Sequence, residues 1–200
     1  MLTNDRTVFE RALIYHDSSA VAFFGEQLQD VESHLFCGNE YRTNEVSSAI
    51  LRVQMRRLDG ILADLRRNKR TVMEQLANVC SFIPSNDIEG DCATTLALRF
   101  DSECDARAFA EKCTLKCTLP IDTGKHVYTN WTPVMQKVGA LHPLMDPFKM
   151  EANRDIIPDY TMDMCPRTLE LLARTVYISV NPDWTAQELD EAVAAIRAAV

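Results

Sequence analysis

The stretch Cys37-Gly38-Asn39-Glu40-Tyr41-Arg42-Thr43-Asn44-Glu45 decides the reading of this chain, because a polar, glycine-bearing loop runs there straight into a long amphipathic pattern. Beyond it, apolar residues recur at Val46, Ala49, Ile50, Val53, Leu58, Ile61, Leu62, Leu65, Val72, Met73 and Leu76. That three-and-four spacing lays one stripe along one helix face. Asn44 stands where an N-cap belongs. The pattern predicts a helix from about Asn44 to Asn78, roughly 50 Å long at ~1.5 Å per residue. Such a length exceeds the width of a small domain and suits a bridging element.

Working outward, the N-terminal segment to about residue 36 reads as a strand, a helix through Phe9 to Tyr15 and a loop containing Phe23-Phe24-Gly25. After the long helix, strands alternate with helices. Cys92 to Phe100 reads as a strand, and Ser102 to Lys112 as a helix whose Ser and Asp start favours capping. Leu115 to Ile121 reads as a second strand. A loop from Asp122 to Pro158 follows, then a helix Pro166 to Ala173, a strand Thr175 to Val180 and a helix Thr185 to Ala199. Pro166 sits in a first turn, where its missing N–H costs nothing, and Thr185 with Glu188 makes a capping box. The fold class is α/β, ending in a small sandwich of few strands backed by helices.

Composition excludes several classes. With 46% hydrophobic residues in 200, the chain can bury the core of one ordinary domain, or of a domain plus part of another. No apolar run is long enough to cross a bilayer, and Met1-Leu2-Thr3-Asn4-Asp5-Arg6 lacks a secretory core, so a soluble, cytoplasmic protein is expected. The net charge of -8 disfavours nucleic acid, since neutralising phosphates needs a basic surface. Arg52, Arg56, Arg57, Arg66, Arg67 and Arg70 nevertheless ride together on the long helix, as a solvated face would. The seven cysteines are odd in number and lack paired Cys-x-x-Cys elements, which argues against a disulfide framework or structural zinc and for reduced, mostly buried thiols.

Asn39-Glu40-Tyr41-Arg42-Thr43-Asn44-Glu45 and the following Gln54-Met55-Arg56-Arg57-Leu58-Asp59 resemble a block of the DegT/DnrJ/StrS sugar aminotransferases. Those pyridoxal-phosphate enzymes read Asn-Tyr-Arg-Met-(Ser/Thr)-Glu and then a helix ending near Gln-Leu-x-x-Leu-Asp. Met1-Leu2-Thr3-Asn4-Asp5 with Glu10-Arg11-Ala12 looks like the family's strand, turn and helix that come soon after the cofactor lysine. Cys165-Pro166-Arg167-Thr168, then Val176 to Pro182, then Trp184-Thr185-Ala186-Gln187-Glu188 look like its closing helix, strand, Pro turn and last helix. Four pieces in the right order make the signal specific.

The resemblance implies the C-terminal part of a fold-type-I transferase: residues 1–43 as the end of the large cofactor domain, 44–78 as the linking helix and 79–200 as the small C-terminal domain. None of Lys69, Lys112, Lys116, Lys125, Lys137 and Lys149 has the Ser-rich, Gly-rich context of the cofactor lysine, so no catalytic residue is expected in this chain. What this half would supply is a phosphate contact from the loop before the long helix, reaching the neighbouring subunit's site. By position its cofactor-binding residues are Asn39, Tyr41 and Arg42. Here the chain departs from the pattern, with Glu40 where asparagine usually precedes Tyr-Arg. An ionised carboxylate accepts hydrogen bonds and donates none, so it repels a phosphate. Either Asn39 takes over the contact or the position is used differently; Arg42 could equally pair with Glu45.

The loop from Asp122 to Pro158 is too long to be idle. It interleaves Lys125-His126-Val127-Tyr128-Thr129-Asn130-Trp131 with four prolines. His126, Tyr128 and Trp131 are therefore candidates to contact substrate, the alternative being that Trp131, Val134 and Phe148 anchor the loop. By resemblance the intact enzyme moves an amino group from glutamate or glutamine to a keto-sugar or keto-cyclitol, a sugar nucleotide or cyclitol substrate, using pyridoxal 5'-phosphate. The expected partner is a second copy or a complementary N-terminal half, with no nucleic acid, membrane or metal. A non-catalytic interaction module and one half of a split enzyme are the competing readings.

Overall fold

The alternation in Thr95-Leu96-Ala97-Leu98-Arg99 builds the sheet: Leu96 and Leu98 are buried while Thr95, Ala97 and Arg99 are not. The computed structural model describes residues 3–16, 31–38 and 44–200. The chain forms two units, Met1–Thr43 with Gly124–Cys165, and Asn44–Thr123 with Pro166–Val200. Segment 124–165 thus groups with the N-terminal residues in this division.

In the second unit, β1 (Thr95–Arg99) and β2 (Cys117–Thr118) flank β3 (Thr175–Ser179), all antiparallel. The register sets Leu96 opposite Ile178 and Leu98 opposite Val176, so the apolar sets of both strands share one face. On the other side of β1, Ile83 N–H donates to Ala97 O at 2.8 Å and Arg99 N–H to Ser81 O at 2.8 Å. The expected strand 115–121 is cut to two residues because Pro120 has no N–H for the ladder and opens a 3₁₀ turn instead.

Helices cover the apolar face. Leu65, Val72 and Leu76 come from α3 (Leu58–Gln75) and the residue after it, Ala106 and Phe109 from α4 (Glu103–Lys112), and Val193, Ile196 and Ala199 from α7 (Ala186–Ala199). Phe109 stacks tilted on Phe100 at 5.0 Å. Asn68, buried among these groups, donates to Asn181 O at 2.9 Å and ties α3 to the turn after β3. The caps read from the sequence are present: Asp105 N–H donates to Ser102 Oγ at 3.1 Å, and Thr185 and Glu188 form their reciprocal box. Pro166 opens the helix Pro166–Ala173.

The expected unbroken helix 44–78 is two helices. Asn44 caps α2 (Glu45–Met55), accepting from Ser47 N–H at 2.8 Å. The ladder then tightens: Arg56 N–H reaches Val53 O at 3.2 Å and Arg57 N–H reaches Gln54 O at 2.9 Å, three residues back rather than four, before α3 starts. Gly60 just beyond weakens helix continuity. The division also follows burial. No residue of α2 is buried, and Val46, Ile50, Leu51, Val53 and Met55 are each more than half exposed. No packing holds α2 collinear with α3.

The cysteines also differ from expectation: only Cys113 is buried, and Cys37, Cys92, Cys104 and Cys165 are exposed. All seven are free thiols. Among the described residues no helix is long and apolar enough to cross a membrane.

Candidate functional site

In the first unit, α1 (Arg6–His16) is capped by Asp5, whose Oδ1 accepts from Val8 N–H at 3.1 Å. Ile14 on its inner face packs with Phe36, joined by Leu13, Val31, Leu35 and Val138. Polar bonds fix the same segment. The fully buried carboxylate of Glu10 accepts from Arg6 Nε at 2.8 Å and from Ser33 N–H at 2.8 Å. Residues 31–38 are therefore held along α1 by both apolar and charged contacts, and they lead directly into residues 39–43.

Gly38 shows how tightly that lead-in is seated. A Cβ built there would lie 2.6 Å from Ile14 O and closer still to Tyr15 O, both backbone atoms that cannot step aside. Only glycine lets the chain pass the last turn of α1. The expected cofactor residues Asn39, Tyr41 and Arg42, with Glu40, lie outside the described residues. Their flanks, Gly38 against α1 and Asn44 capping α2, are defined.

Glu10 makes this support sensitive to acid. Hydrogen bonds from Arg6 first, then Ser33, hold its carboxyl at about 2 against an ordinary 4.5. A carboxyl depressed in the folded state stabilises it fully above the unfolded value and loses that contribution as pH falls toward the folded one. The packing of 31–36 on α1 should weaken between about pH 4.5 and 2. The protection of the Ser33 amide, its exchange rate compared with the intrinsic rate at each pH, should fall through this window in the parent and depend less on pH in Glu10→Gln. Identical acid profiles for the two proteins would remove Glu10 from this role.

The segment from Gly124 to Cys165 is not an open loop. It is laid out in short 3₁₀ turns at Gly124–His126, Tyr128–Asn130, Pro143–Met145 and Glu151–Asn153, with a one-turn helix, α5 (Thr132–Met135). Lys137 adopts φ 56, a left-handed corner before Gly139. Asp146 organises the next turn: its buried Oδ1 accepts from Gly139 N–H and Phe148 N–H, both at 3.1 Å. Phe148 meets Tyr160 edge-on at 6.2 Å.

The three expected substrate residues lie within six positions of one another but play different parts. Tyr128 is buried, and its hydroxyl donates to Met162 O at 2.8 Å and accepts from Cys165 N–H at 3.2 Å. That phenol is an anchor for 162–165. His126 is exposed and Trp131 is 43% exposed. Phe148, expected only as an anchor, serves as one through its backbone and ring.

Sequence reading missed the supports rather than the candidates. Glu10 and Asp146 bind backbone N–H groups brought to them by the fold, and no local spacing announces that. His34, for which the sequence offers no partner, is exposed and lines a hollow of about 450 Å³ with Thr7, Arg11, Ser33, Phe36 and Leu141. Of the lysines, Lys69, Lys137 and Lys149 are paired with Asp91, Asp159 and Asp146.

The model of the DegT/DnrJ/EryC1/StrS aminotransferase family matches residues 1–197. Among solved structures, the chain is similar to the X-ray structure of the aminotransferase from Psychrobacter cryohalolentis, at 16% identity and a TM-score of 0.49 over 97% of this chain and 49% of that one. This chain spans about half the length of that protein.

Proposed function

Because the chain belongs to the DegT/DnrJ/EryC1/StrS aminotransferase family, we propose that it forms the C-terminal half of an enzyme that moves an amino group from glutamate or glutamine to a keto-sugar or keto-cyclitol. Aminotransferases of this family depend in general on pyridoxal 5'-phosphate, which supplies an electron sink for carbon–nitrogen chemistry. The observation that carries the proposal is the family match over residues 1–197, nearly the whole chain.

Within this reading, Asn39, Tyr41 and Arg42 are the phosphate-holding residues. Their donor chemistry fits the group: an amide, a phenol and a guanidinium each offer N–H or O–H, and the guanidinium carries the charge a phosphate needs. Glu40 opposes it. His126 and Trp131 are the proposed sugar contacts, an imidazole for hydroxyls and an indole face for the ring. The exposed apolar stripe of α2 supports a partner, either a second copy or the half that bears the lysine, since covering Val46, Ile50 and Val53 removes apolar surface from water. A cytoplasmic setting suits seven free thiols.

The test is cofactor retention. The full chain should retain no pyridoxal phosphate through gel filtration when alone. Mixed with a lysine-bearing N-terminal half of a family member, it should co-elute with that half and with bound cofactor, seen by its visible absorbance. Retention by the chain alone, lost on mutating one of its own lysines, would overturn the division of labour proposed here.

A further inference from the structure

A cavity opens along one face of α3. Arg66, Lys69, Arg70, Met73 and Glu74 recur at helical spacing and face the segment 84–93 across a cavity of about 430 Å³. Its lining is apolar where the two elements meet, through Met73, Ala77, Pro84, Ile88 and Ala93. That volume lies in the range of small-molecule pockets, and the pattern of an apolar floor with a few convergent polar groups is the usual one.

The far wall is firmly fixed. Asp91 spends all three of its acceptors: its carbonyl takes Arg66 Nε at 2.8 Å, Oδ2 takes Lys69 Nζ at 2.7 Å and Oδ1 takes Ala93 N–H at 2.8 Å. These bonds hold buried Ala93 at φ 57, a left-handed conformation that costs a non-glycine residue about 1 kcal/mol or more and tends to persist at ligand clamps. The Lys69 charge is cancelled by Asp91, whose carboxyl is held below its ordinary value by that lysine.

The rim charge is not cancelled. Arg66 is oriented through its Nε, which leaves the two terminal nitrogens of its fork unspent, and Arg70 one turn further on pairs with no carboxylate among the described residues. Among the residues that line the cavity, Arg66, Lys69 and Arg70 stand beside Glu74 and Asp91.

We propose that this cavity binds a small amphipathic monocarboxylate, its apolar body on Met73, Pro84 and Ile88 and its carboxylate on the Arg66 and Arg70 guanidinium groups. Planar guanidinium donors match a carboxylate.

The test titrates the full chain with octanoate and with 1-octanol, following amide shifts by NMR. Octanoate should shift residues 66–77 and 84–93 saturably and bind about tenfold tighter than octanol, an advantage of ~1.4 kcal/mol. Arg70→Gln, on an exposed side chain, should abolish the advantage and leave octanol binding as it was. Ala77→Phe, also exposed, should block both ligands by filling the cavity. Equal binding of acid and alcohol, an Arg70→Gln protein that keeps the preference, or shifts confined to the apolar face of α2 would each overturn the assignment.

Discussion

Asp146→Ala is expected to destabilise the turn from Gly139 to Phe148 by about 3 kcal/mol, the scale for removing a charged acceptor from one buried and one half-buried donor. The side chain has no exposed surface, and Gly139 and Phe148 N–H both depend on Oδ1. Lys149 Nζ lies 3.3 Å from Oδ2 but is 56% exposed, so most of the loss comes from the backbone bonds. A Cβ at Gly139 would lie 2.7 Å from Oδ1, so the two strands of the turn are also in tight contact. Exchange at the Gly139 and Phe148 amides should accelerate accordingly.

A second readout ties this turn to the root of the 39–43 loop. The Cys37 thiol, exposed as a residue but partly desolvated by its surroundings, is pushed up by that desolvation first and then by the Asp146 charge. Removing that charge lowers the thiol's resistance to ionisation, so alkylation of Cys37 at fixed pH should speed up in Asp146→Ala. Asp146→Asn keeps an acceptor for the two amides and loses the charge. It should match the alanine variant in alkylation and sit closer to the parent in exchange. Unchanged exchange at both amides in Asp146→Ala would leave the turn held by something else.

These supports explain what the sequence could and could not reveal. Caps and alternation are local, so Asn44, Ser102, Thr185 with Glu188, and the Leu96/Leu98 alternation were legible from neighbours in the chain. The break between α2 and α3 was not, because the apolar stripe continues through Leu58 and Leu62 while only packing distinguishes the two helices. The residues 115–121 read as a strand by composition, but a single missing N–H at Pro120 ended the ladder. Tyr128 read as a ligand contact because a phenol in a long loop is ambiguous until its hydroxyl's partners, 34 and 37 residues away, are known. The ties that Glu10 and Asp146 make to Ser33 and Gly139 were silent for the same reason: those partners are backbone amides that carry no side-chain signature.

The sharpest expectation for function falls on the loop between Gly38 and Asn44. In the enzyme reconstituted with a lysine-bearing half, Asn39→Ala and Arg42→Ala should each weaken pyridoxal phosphate retention by about 1.5 to 3 kcal/mol, the range for hydrogen bonds to a charged group. Glu40→Asn should leave retention unchanged or improve it, because it replaces an acceptor-only anion with an amide that can donate. The expectation is specific to those side chains, since Gly38 is seated against α1 and Asn44 is bonded to Ser47 whatever stands between them. Cofactor dissociation constants for the three variants, with circular dichroism to verify folding, decide the matter. Three folded variants that all match the parent would make this loop structural and move the phosphate contact elsewhere in the enzyme.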